Sequence, residues 1–253
     1  MSDTVILVAS TGTGSYENCA RSIGAVERAI AKAFPQYEVR RVFTGRTVTQ
    51  RLKERDGLEV ESLEEALLRA EREGVKGLLV QPTYLLRGDQ YAELVDTMKR
   101  CAGRFERTAV GKPLLDDERD IDAVIEALIP VIEEWAGVDK EPAVLLVGHG
   151  TKNGADSIYA RIREKLHSAG FENYDMVSLK DRFAKERAAA AGCREKFCKK
   201  VVLVPFMLVS GFHAARDIAG DQEDSWKSLL EAAGYEVSCM PGGLGEIPAI
   251  QDI

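Results

Sequence analysis

The chain has 253 residues, of which 45% are hydrophobic and 30% charged, and it carries a net charge of −7 at pH 7. This composition is typical of a folded protein with one large or two medium-sized domains, and it excludes the disordered and low-complexity classes. The acidic balance, with no lysine- or arginine-rich block, argues against nucleic acid as a partner.

The chain shows no targeting or membrane segment. Its first residues, MSDTVILVAS, lack the basic and long apolar regions of a secretory signal, and no apolar run reaches the about 18 residues of a spanning helix. We therefore expect a cytoplasmic protein without membrane association. The cysteines are odd in number and are expected to be reduced thiols: Cys19, Cys101, Cys193, Cys198 and Cys239. Cys193 and Cys198 are the two cysteines closest together in the chain, and their spacing is poor for a zinc site.

Four apolar runs are predicted to form buried parallel strands, each followed by a turn and a helix. They are VILVAS (5–10), GLLVQPTYLL (77–86), AVLLVGHG (143–150) and VVLVPFMLV (201–209). Continuous apolar runs suit a sheet that helices cover on both faces. Amphipathic helices are predicted between them; in SLEEALLRAEREG, Ser62 and Glu65 form a capping box and Gly74 ends the helix. The alternation indicates the α/β class.

The second half of the chain repeats the pattern of the first. VILVASTGTGS aligns with VLLVGHGTKNG, and LLVQPTYLLRGDQYAEL aligns with VLVPFMLVSGFHAARDI, which pairs Pro82 with Pro205 in a shared Pro-x5-Gly spacing. We expect two Rossmann-like lobes, residues 1–138 and 139–253, with parallel sheets flanked by helices and related by internal duplication. The alternative is that any two strand–helix units look alike.

Two of the three histidines follow strands of the second half. His149 ends one strand segment and His213 lies shortly after the next, where the alignment sets Ser10 and Gln90 opposite them. Because ligands of open α/β sheets bind beyond the carboxyl ends of the strands, both imidazoles are expected at one edge. Imidazole is a common ligand of divalent metals, which indicates a metal site; the alternative is a hydrogen-bonding residue at a helix start. His167, late in a helix, is predicted to interact with the helix dipole.

The loop STGTGS (10–15) offers hydroxyls and backbone N–H groups at a helix start, which suits a carboxylate or a phosphate. The alternative is an ordinary N-cap by Ser15 or Asn18. The third glycine of a G-x-G-x-x-G fingerprint would fall on Glu17, and the chain contains neither a P-loop nor a G-x-S-x-G motif. No nucleotide cofactor and no α/β-hydrolase chemistry are therefore expected.

Three motifs carry a family resemblance. VGHGT (147–151), MLVSGFHAARDIAGDQEDSW (207–226) and GGLGEIPAI (242–250) together resemble the anaerobic cobalt chelatases of the class II chelatase group. The resemblance covers nearly the whole chain, from VILVASTGTGSYENC onward. It implies a bilobal, chelatase-type α/β lyase with a tetrapyrrole between its lobes. The implied reaction is insertion of Co²⁺ into sirohydrochlorin, without ATP or an organic cofactor, in cobalamin (vitamin B12) biosynthesis.

The resemblance also assigns roles to residues. His149 and His213 are the implied metal ligands, and His149 is also the catalytic group that takes up pyrrole protons; a neutral imidazole can release an ion and accept a proton near neutral pH. Substrate contacts are predicted for Ser10, Thr11, Gly12, Thr13, Tyr84, Gln90 and Phe212. For Tyr84 and Phe212 the alternative is a place in the core. Basic residues near the strand ends, each otherwise an ordinary solvated charge, are expected to face the acidic substrate: Arg40, Arg46, Arg87, Lys152 and Lys180.

Three positions depart from the family pattern. Ser178 lies in a stretch where a second carboxylate ligand is expected, and no carboxylate follows until Asp181. Gln90 stands where a glutamate ligand is expected and Tyr84 where a histidine is expected. Asp89, Asp181 or water then completes the site, or the protein handles Fe²⁺, Ni²⁺ or a preformed metallotetrapyrrole. Beside the favoured cobaltochelatase, two functions stay open: a sirohydrochlorin ferrochelatase for sirohaem, and a non-catalytic tetrapyrrole- or haem-binding protein. Exposed apolar helix faces would suit a homo-oligomer.

Overall fold

The computed structural model describes residues 3–136, 142–151, 157–180 and 199–253. Up to Gln251, the chain divides into two compact units between Asp116 and Asp117. The lobe boundary expected from the sequence, between residues 138 and 139, lies after the helix Glu118–Ala136 instead of before it. That boundary stays a prediction. Cys193 and Cys198 lie outside the described residues.

The first unit contains a parallel sheet with helices between its strands. The strands are β1 (Thr4–Ser10), β2 (Glu38–Phe43), β3 (Gly77–Pro82) and β4 (Arg107–Val110). The helices are α1 (Tyr16–Asn18), a π-helical turn (Cys19–Ile23), α2 (Gly24–Ala33), α3 (Arg46–Asp56), α4 (Leu63–Arg72), α5 (Asp89–Cys101) and a 3₁₀ turn (Ala102–Arg104). The strand order is β2-β1-β3-β4.

The second unit has the same plan. Its strands are β5 (Ala143–Gly148), β6 (Tyr174–Ser178), β7 (Lys200–Phe206) and β8 (Glu236–Cys239). Its described helices are α6 (Glu118–Ala136), α7 (Ile158–Ser168), a π-helical turn (Ala214–Ile218), α8 (Trp226–Ala232), a 3₁₀ turn (Leu244–Glu246) and α9 (Pro248–Gln251). The strand order, β6-β5-β7-β8, is that of the first sheet.

Both sheets are parallel throughout their described pairings. The predicted α/β class with two parallel sheets flanked by helices is therefore confirmed. The shared strand order is what internal duplication predicts. The aligned prolines are one step apart in register, since Pro82 pairs with Ala9 whereas Pro205 pairs with Val147.

Central strands are buried because helices cover them. All seven residues of β1 are buried, and Val5, Leu7 and Ala9 pack with side chains of β3, α4 and α5 in one hydrophobic core. In the second unit, Leu145 and Leu203 of the central strands pack with Trp226 and Leu230 of α8. This burial explains why β1, β3, β5 and β7 stand out in the sequence as continuous apolar runs.

Helix boundaries follow local capping chemistry. The Ser62 hydroxyl accepts a hydrogen bond from the Glu65 backbone N–H at 3.3 Å, and the Glu65 carboxylate accepts one from the Ser62 N–H at 2.8 Å, which is the predicted capping box. Gly74 has a positive φ of 73° directly after this helix, as predicted for its stop. No described helix combines the length and the apolar character needed to cross a membrane.

The two tryptophans of the second unit provide a matched test of its core. Trp226 is fully buried, whereas Trp135 is 40% exposed. We expect Trp226→Ala to lower the free energy of unfolding by about 3–5 kcal/mol, because it leaves a cavity, and Trp135→Ala to cost about 1 kcal/mol or less. Denaturant unfolding followed by circular dichroism measures both; equal losses would contradict this placement of Trp226.

Candidate functional site

The two candidate histidines lie at the C-terminal edge of the second sheet. His149 is the first residue after β5, and His213 follows the loop after β7 and directly precedes the π-helical turn. Because β5 and β7 are parallel neighbours, with Gly148 paired to Phe206, both strands deliver their next residues to the same edge. The imidazole ring centroids are 4.9 Å apart, with the ring planes at 71°. The structure thus brings the two imidazoles together.

Hydrogen bonds fix the orientation of both rings through Nδ1. The Nδ1 atom of His149 lies 3.2 Å from the Gly150 carbonyl oxygen, and that of His213 lies 2.6 Å from an oxygen of Asp217. A carbonyl and a carboxylate can only accept, so Nδ1 carries the proton in both rings. Within the described part of the chain, neither Nε2 atom has a hydrogen-bond partner. In the neutral rings each Nε2 therefore offers a lone pair to a ligand.

The surroundings keep His149 neutral. Burial lowers the pKa of its imidazole below the ordinary 6.5, because desolvation disfavours the charged form. The hydrogen bond to the Gly150 carbonyl opposes this shift, whereas the nearby His213 and Lys180 lower the pKa further. The side chain still reaches solvent along part of its surface. A neutral, accessible imidazole is the form that binds metals.

Asp217 is ionised at neutral pH. Burial raises its pKa, but hydrogen bonds from His213 and Arg216 outweigh burial, so that the pKa lies below the ordinary value. Asp217 is not among the site residues predicted from the sequence. Its signal was the four-residue spacing from His213, which places both side chains on one side of a helical turn.

Among the His, Cys, Asp and Glu side chains of the described residues, only these two histidines come together here as candidate metal ligands. No group of three or more His, Cys, Asp or Glu side chains close enough to share an ion occurs within residues 3–136, 142–151, 157–180 and 199–253. An ion at this site would retain water or other ligands. Asp181 lies outside the described residues, so its suggested part in the site stays a prediction.

Two other predicted residues, Phe212 and Lys180, lie close to the histidine pair. Phe212 is 72% exposed, and its ring centroid is 5.7 Å from that of His213, so it is a surface aromatic residue rather than a core one. Lys180 is exposed and close enough to His149 to affect its pKa. Lys152 lies outside the described residues. His167 bonds through Nε2 to the Tyr174 carbonyl oxygen at 2.8 Å, in the last turn of α7.

In the first unit, the loop after β1 has its own hydrogen bonds. The Ser10 hydroxyl is buried and accepts from Thr83 at 2.8 Å, and Thr11 donates to the Gln90 amide oxygen at 2.8 Å. Gly12 lies against the ring of Phe43.

The rest of the loop caps the following helix. Thr13 is buried and accepts from the Ser15 N–H, while the Ser15 hydroxyl accepts from the Asn18 N–H at 3.2 Å. Ser15 is therefore the N-cap that the alternative interpretation of this loop expects.

Two of the predicted substrate contacts differ sharply in exposure. Tyr84 is buried in the core of the first unit, and its hydroxyl is 2.7 Å from that of Thr44. That position matches the core alternative and gives no support to a substrate contact, which stays a prediction. Gln90 is exposed and lines a pocket together with Arg46 and Glu93.

Two of the other basic candidates, Arg40 and Arg87, are engaged by carboxylates. Arg40 contacts Glu38 and Glu73 at 2.8 and 2.6 Å, and its side chain is only 10% exposed. Arg87 pairs with Asp116 and lies over the ring of Tyr91. Both arginines therefore already have their negative partners within the first unit.

Fold and site together define a two-unit α/β protein of the chelatase class. The family model described as Cobalt chelatase (CbiK) matches residues 4–253. The chain therefore belongs to the CbiK cobalt chelatase family, and the resemblance seen in the sequence motifs is confirmed.

Individual relatives agree with this family. The chain is 30% identical over 246 residues to the sirohydrochlorin cobaltochelatase of Salmonella typhimurium, covering 97% of this chain and 91% of the relative. It is 29% identical over 255 residues to the sirohydrochlorin cobaltochelatase CbiKC of Nitratidesulfovibrio vulgaris, covering 98% and 86%. Among solved structures, SirB from Bacillus subtilis with Fe³⁺ matches with a TM-score of 0.68 at 18% identity, covering 100% and 92% of the two chains. At that identity the likeness shows the fold alone.

The burial of His149 predicts a lowered pKa for its imidazole. We expect the imidazole of His149 in the folded protein to titrate below 6.5, with its resonance assigned by His149→Gln. Because the unfolded chain then binds a proton that the folded chain does not, this group lowers stability as the pH falls below about 6.5 and has no such cost above it. Titration followed by NMR of the imidazole carbons measures the midpoint. In the urea-unfolded control it should return to about 6.5; a folded midpoint at or above 6.5 would contradict the prediction.

Proposed function

We propose that this protein is a sirohydrochlorin cobaltochelatase, a cytoplasmic lyase that inserts Co²⁺ into sirohydrochlorin without a nucleotide in anaerobic cobalamin biosynthesis. One observation carries the proposal: in a chain of the cobalt chelatase family, two imidazoles that follow neighbouring strands lie with ring centroids 4.9 Å apart. The relatives named as sirohydrochlorin cobaltochelatases support both the metal and the tetrapyrrole.

The first task of the site is to take a hydrated ion and hold it loosely. In the neutral form of each ring, Nε2 of His149 and of His213 carries no proton, because Nδ1 donates to a fixed acceptor. Imidazole nitrogen is a suitable ligand for Co²⁺. Two protein ligands, with water in the remaining positions, bind a metal more weakly than the closed four-ligand sites that hold structural metals. Weak binding suits an ion that is a substrate and must leave for the macrocycle.

The second task is to take up protons. Replacing the two N–H protons of the macrocycle by a divalent ion releases two protons, which need acceptors near the ring. Once the ion leaves Nε2 of His149, that lone pair is free to accept one of them, and solvent water accepts the other. The lowered pKa of His149 keeps it unprotonated before the reaction and makes it pass the proton on to water easily.

The third task is to bind an acidic macrocycle. The exposed ring of Phe212 beside His213 offers a surface for stacking, and the ammonium group of Lys180 offers a partner for a substrate carboxylate near His149. We extend the proposal to contacts from the first unit through Thr11, Gly12, Thr13 and Gln90. The proposal also includes that the protein forms a homo-oligomer and that it binds neither nucleic acid nor membranes.

One observation favours a second candidate. Position 90 carries an amide where the family resemblance expects a carboxylate ligand, and an amide oxygen is a weaker ligand than a carboxylate. Such a change suits a chelatase for another ion, Fe²⁺ or Ni²⁺, or a non-catalytic tetrapyrrole-binding protein on the same fold. Metal insertion assays separate these functions.

The first assay tests the histidine pair. Purified protein with sirohydrochlorin and Co²⁺ should accelerate the absorbance change of metal insertion, and His149→Ala and His213→Ala should each reduce the rate at least about 10-fold, because each removes a ligand. His167→Ala is the matched control and should keep the wild-type rate, since His167 bonds to a backbone carbonyl away from the pair. Tight pigment binding without acceleration would favour the binding protein, and faster insertion of Fe²⁺ than of Co²⁺ would favour the ferrochelatase.

A second assay tests Gln90 as a substrate contact. We expect Gln90→Ala to raise KM for sirohydrochlorin by about 2–10-fold, the equivalent of one hydrogen bond, while KM for Co²⁺ stays unchanged. Gln50→Ala, which removes an exposed amide that bonds to Glu54 in α3, is the control and should change neither constant. A raised KM for Co²⁺ in Gln90→Ala would instead show that the amide oxygen binds the ion.

A further inference from the structure

The carboxylate of Asp217 bonds to His213, one of the two candidate metal ligands, and to Arg216. One oxygen of Asp217 lies 2.6 Å from Nδ1 of His213, and the other lies 2.6 Å from a guanidinium nitrogen of Arg216. Arg216 in turn reaches Asp224 at 3.6 Å. The Asp217 side chain is 23% exposed, compared with 51% for His213. The less exposed carboxylate thus supports the more exposed imidazole from behind.

The backbone places these groups by a local irregularity. The Ala219 N–H donates to the Ala214 carbonyl at 3.0 Å, five residues back, so the chain makes a π-helical turn directly after His213. Asp217 is held within this turn, four residues from His213. Arg216 bonds the other carboxylate oxygen, so the carboxylate has little freedom to rotate away from the imidazole.

The two imidazoles are supported unequally. His213 donates to a charged carboxylate at 2.6 Å, whereas His149 donates to the neutral carbonyl of Gly150 at 3.2 Å. Charge-assisted hydrogen bonds are shorter and about twice as strong as neutral ones. A carboxylate behind a metal-binding imidazole fixes its tautomer and orientation and makes Nε2 a better electron donor.

We infer that Asp217 is a positioning residue for metal transfer: it holds His213 with Nε2 directed outward and makes His213 the firmer of two unequal ligands, so that His149 is the ligand that releases first. This inference rests on the proposed function, because it assumes that the histidine pair binds the ion. A merely structural alternative is that Asp217 stabilises the turn through Arg216.

The test compares Asp217→Asn, Asp217→Glu and the control Asp221→Asn in the full chain. Asp221 is 92% exposed and bonds to Lys227, so its variant removes one carboxylate from the same segment without touching a histidine. The first readout is Co²⁺ alone, titrated by calorimetry and by its visible absorption. The second is the long-range ¹H–¹⁵N spectrum of the imidazoles in metal-free protein at about pH 8, where ordinary histidines are neutral; this spectrum identifies the tautomer.

We expect Asp217→Asn to raise the Kd for Co²⁺ by about 10–100-fold and to let His213 adopt the tautomer with the proton on Nε2, while His149 keeps its own. Asp217→Glu should recover part of the affinity and the wild-type tautomer. Asp221→Asn should match the wild type in both readouts. A structural role alone would lower the melting temperature without changing the tautomer.

Three outcomes would overturn the inference. They are wild-type Co²⁺ affinity in Asp217→Asn, an unchanged His213 tautomer in that variant, and a wild-type His213 that already carries its proton on Nε2. The last measurement needs no variant and holds even if Asp217→Asn does not fold. His213→Ala separates the two proposals: if it binds Co²⁺ as well as wild type, the metal site itself is wrong, whereas lost binding there with normal binding in Asp217→Asn rejects only the positioning role.

Discussion

The parallel pairing of β5 with β7 is the constraint on which the site depends. The two strands are adjacent, so the residues that follow them meet at one edge although they are far apart in the chain. Glycines complete this geometry around His149. A Cβ on Gly148 would lie 2.5 Å from the Tyr159 hydroxyl, and Gly150, at a φ of +77°, turns the chain so that its N–H donates to that hydroxyl at 3.4 Å. Tyr159 of α7 thus anchors the backbone on both sides of the imidazole.

The two units share a sheet topology and differ in chemistry. Both have the order in which the first strand lies between the second and the third. Where the second unit has His149 and His213, the first has a buried serine bonded to Thr83 and an exposed glutamine bonded to Thr11. Hydroxyls and an amide can position a substrate, but they lack the donor strength and the proton affinity of imidazole near neutral pH. In the described residues, the side chains suited to metal transfer are therefore concentrated in the second unit.

The sequence predicted the features that depend on burial and strand order. The central strands are continuous apolar runs because helices cover them, and the approach of the two histidines follows from the order of parallel strands. The outer strands β2, β4, β6 and β8 were missed because they are short or half exposed, which leaves no clear apolar run. Burial of Tyr84 depends on packing with residues distant in the chain, and the pKa of His149 depends on desolvation. Neither is encoded in local spacing, so neither could be read before the fold was known.

In the proposed function, unequal support of the two imidazoles suits a protein whose metal is a substrate. If both imidazoles were backed by carboxylates, both Nε2 atoms would bind the ion firmly and transfer to the macrocycle would be slow. If neither were, both Nε2 atoms would bind the ion more weakly. The observed arrangement is intermediate: His213 bonds to the charged Asp217 carboxylate at 2.6 Å, and His149 bonds to the neutral Gly150 carbonyl at 3.2 Å. The weaker support falls on His149, whose pKa burial lowers, and an imidazole with a lowered pKa gives up a proton more readily. In the proposed function, release of the ion and transfer of the proton therefore converge on the same atom, Nε2 of His149.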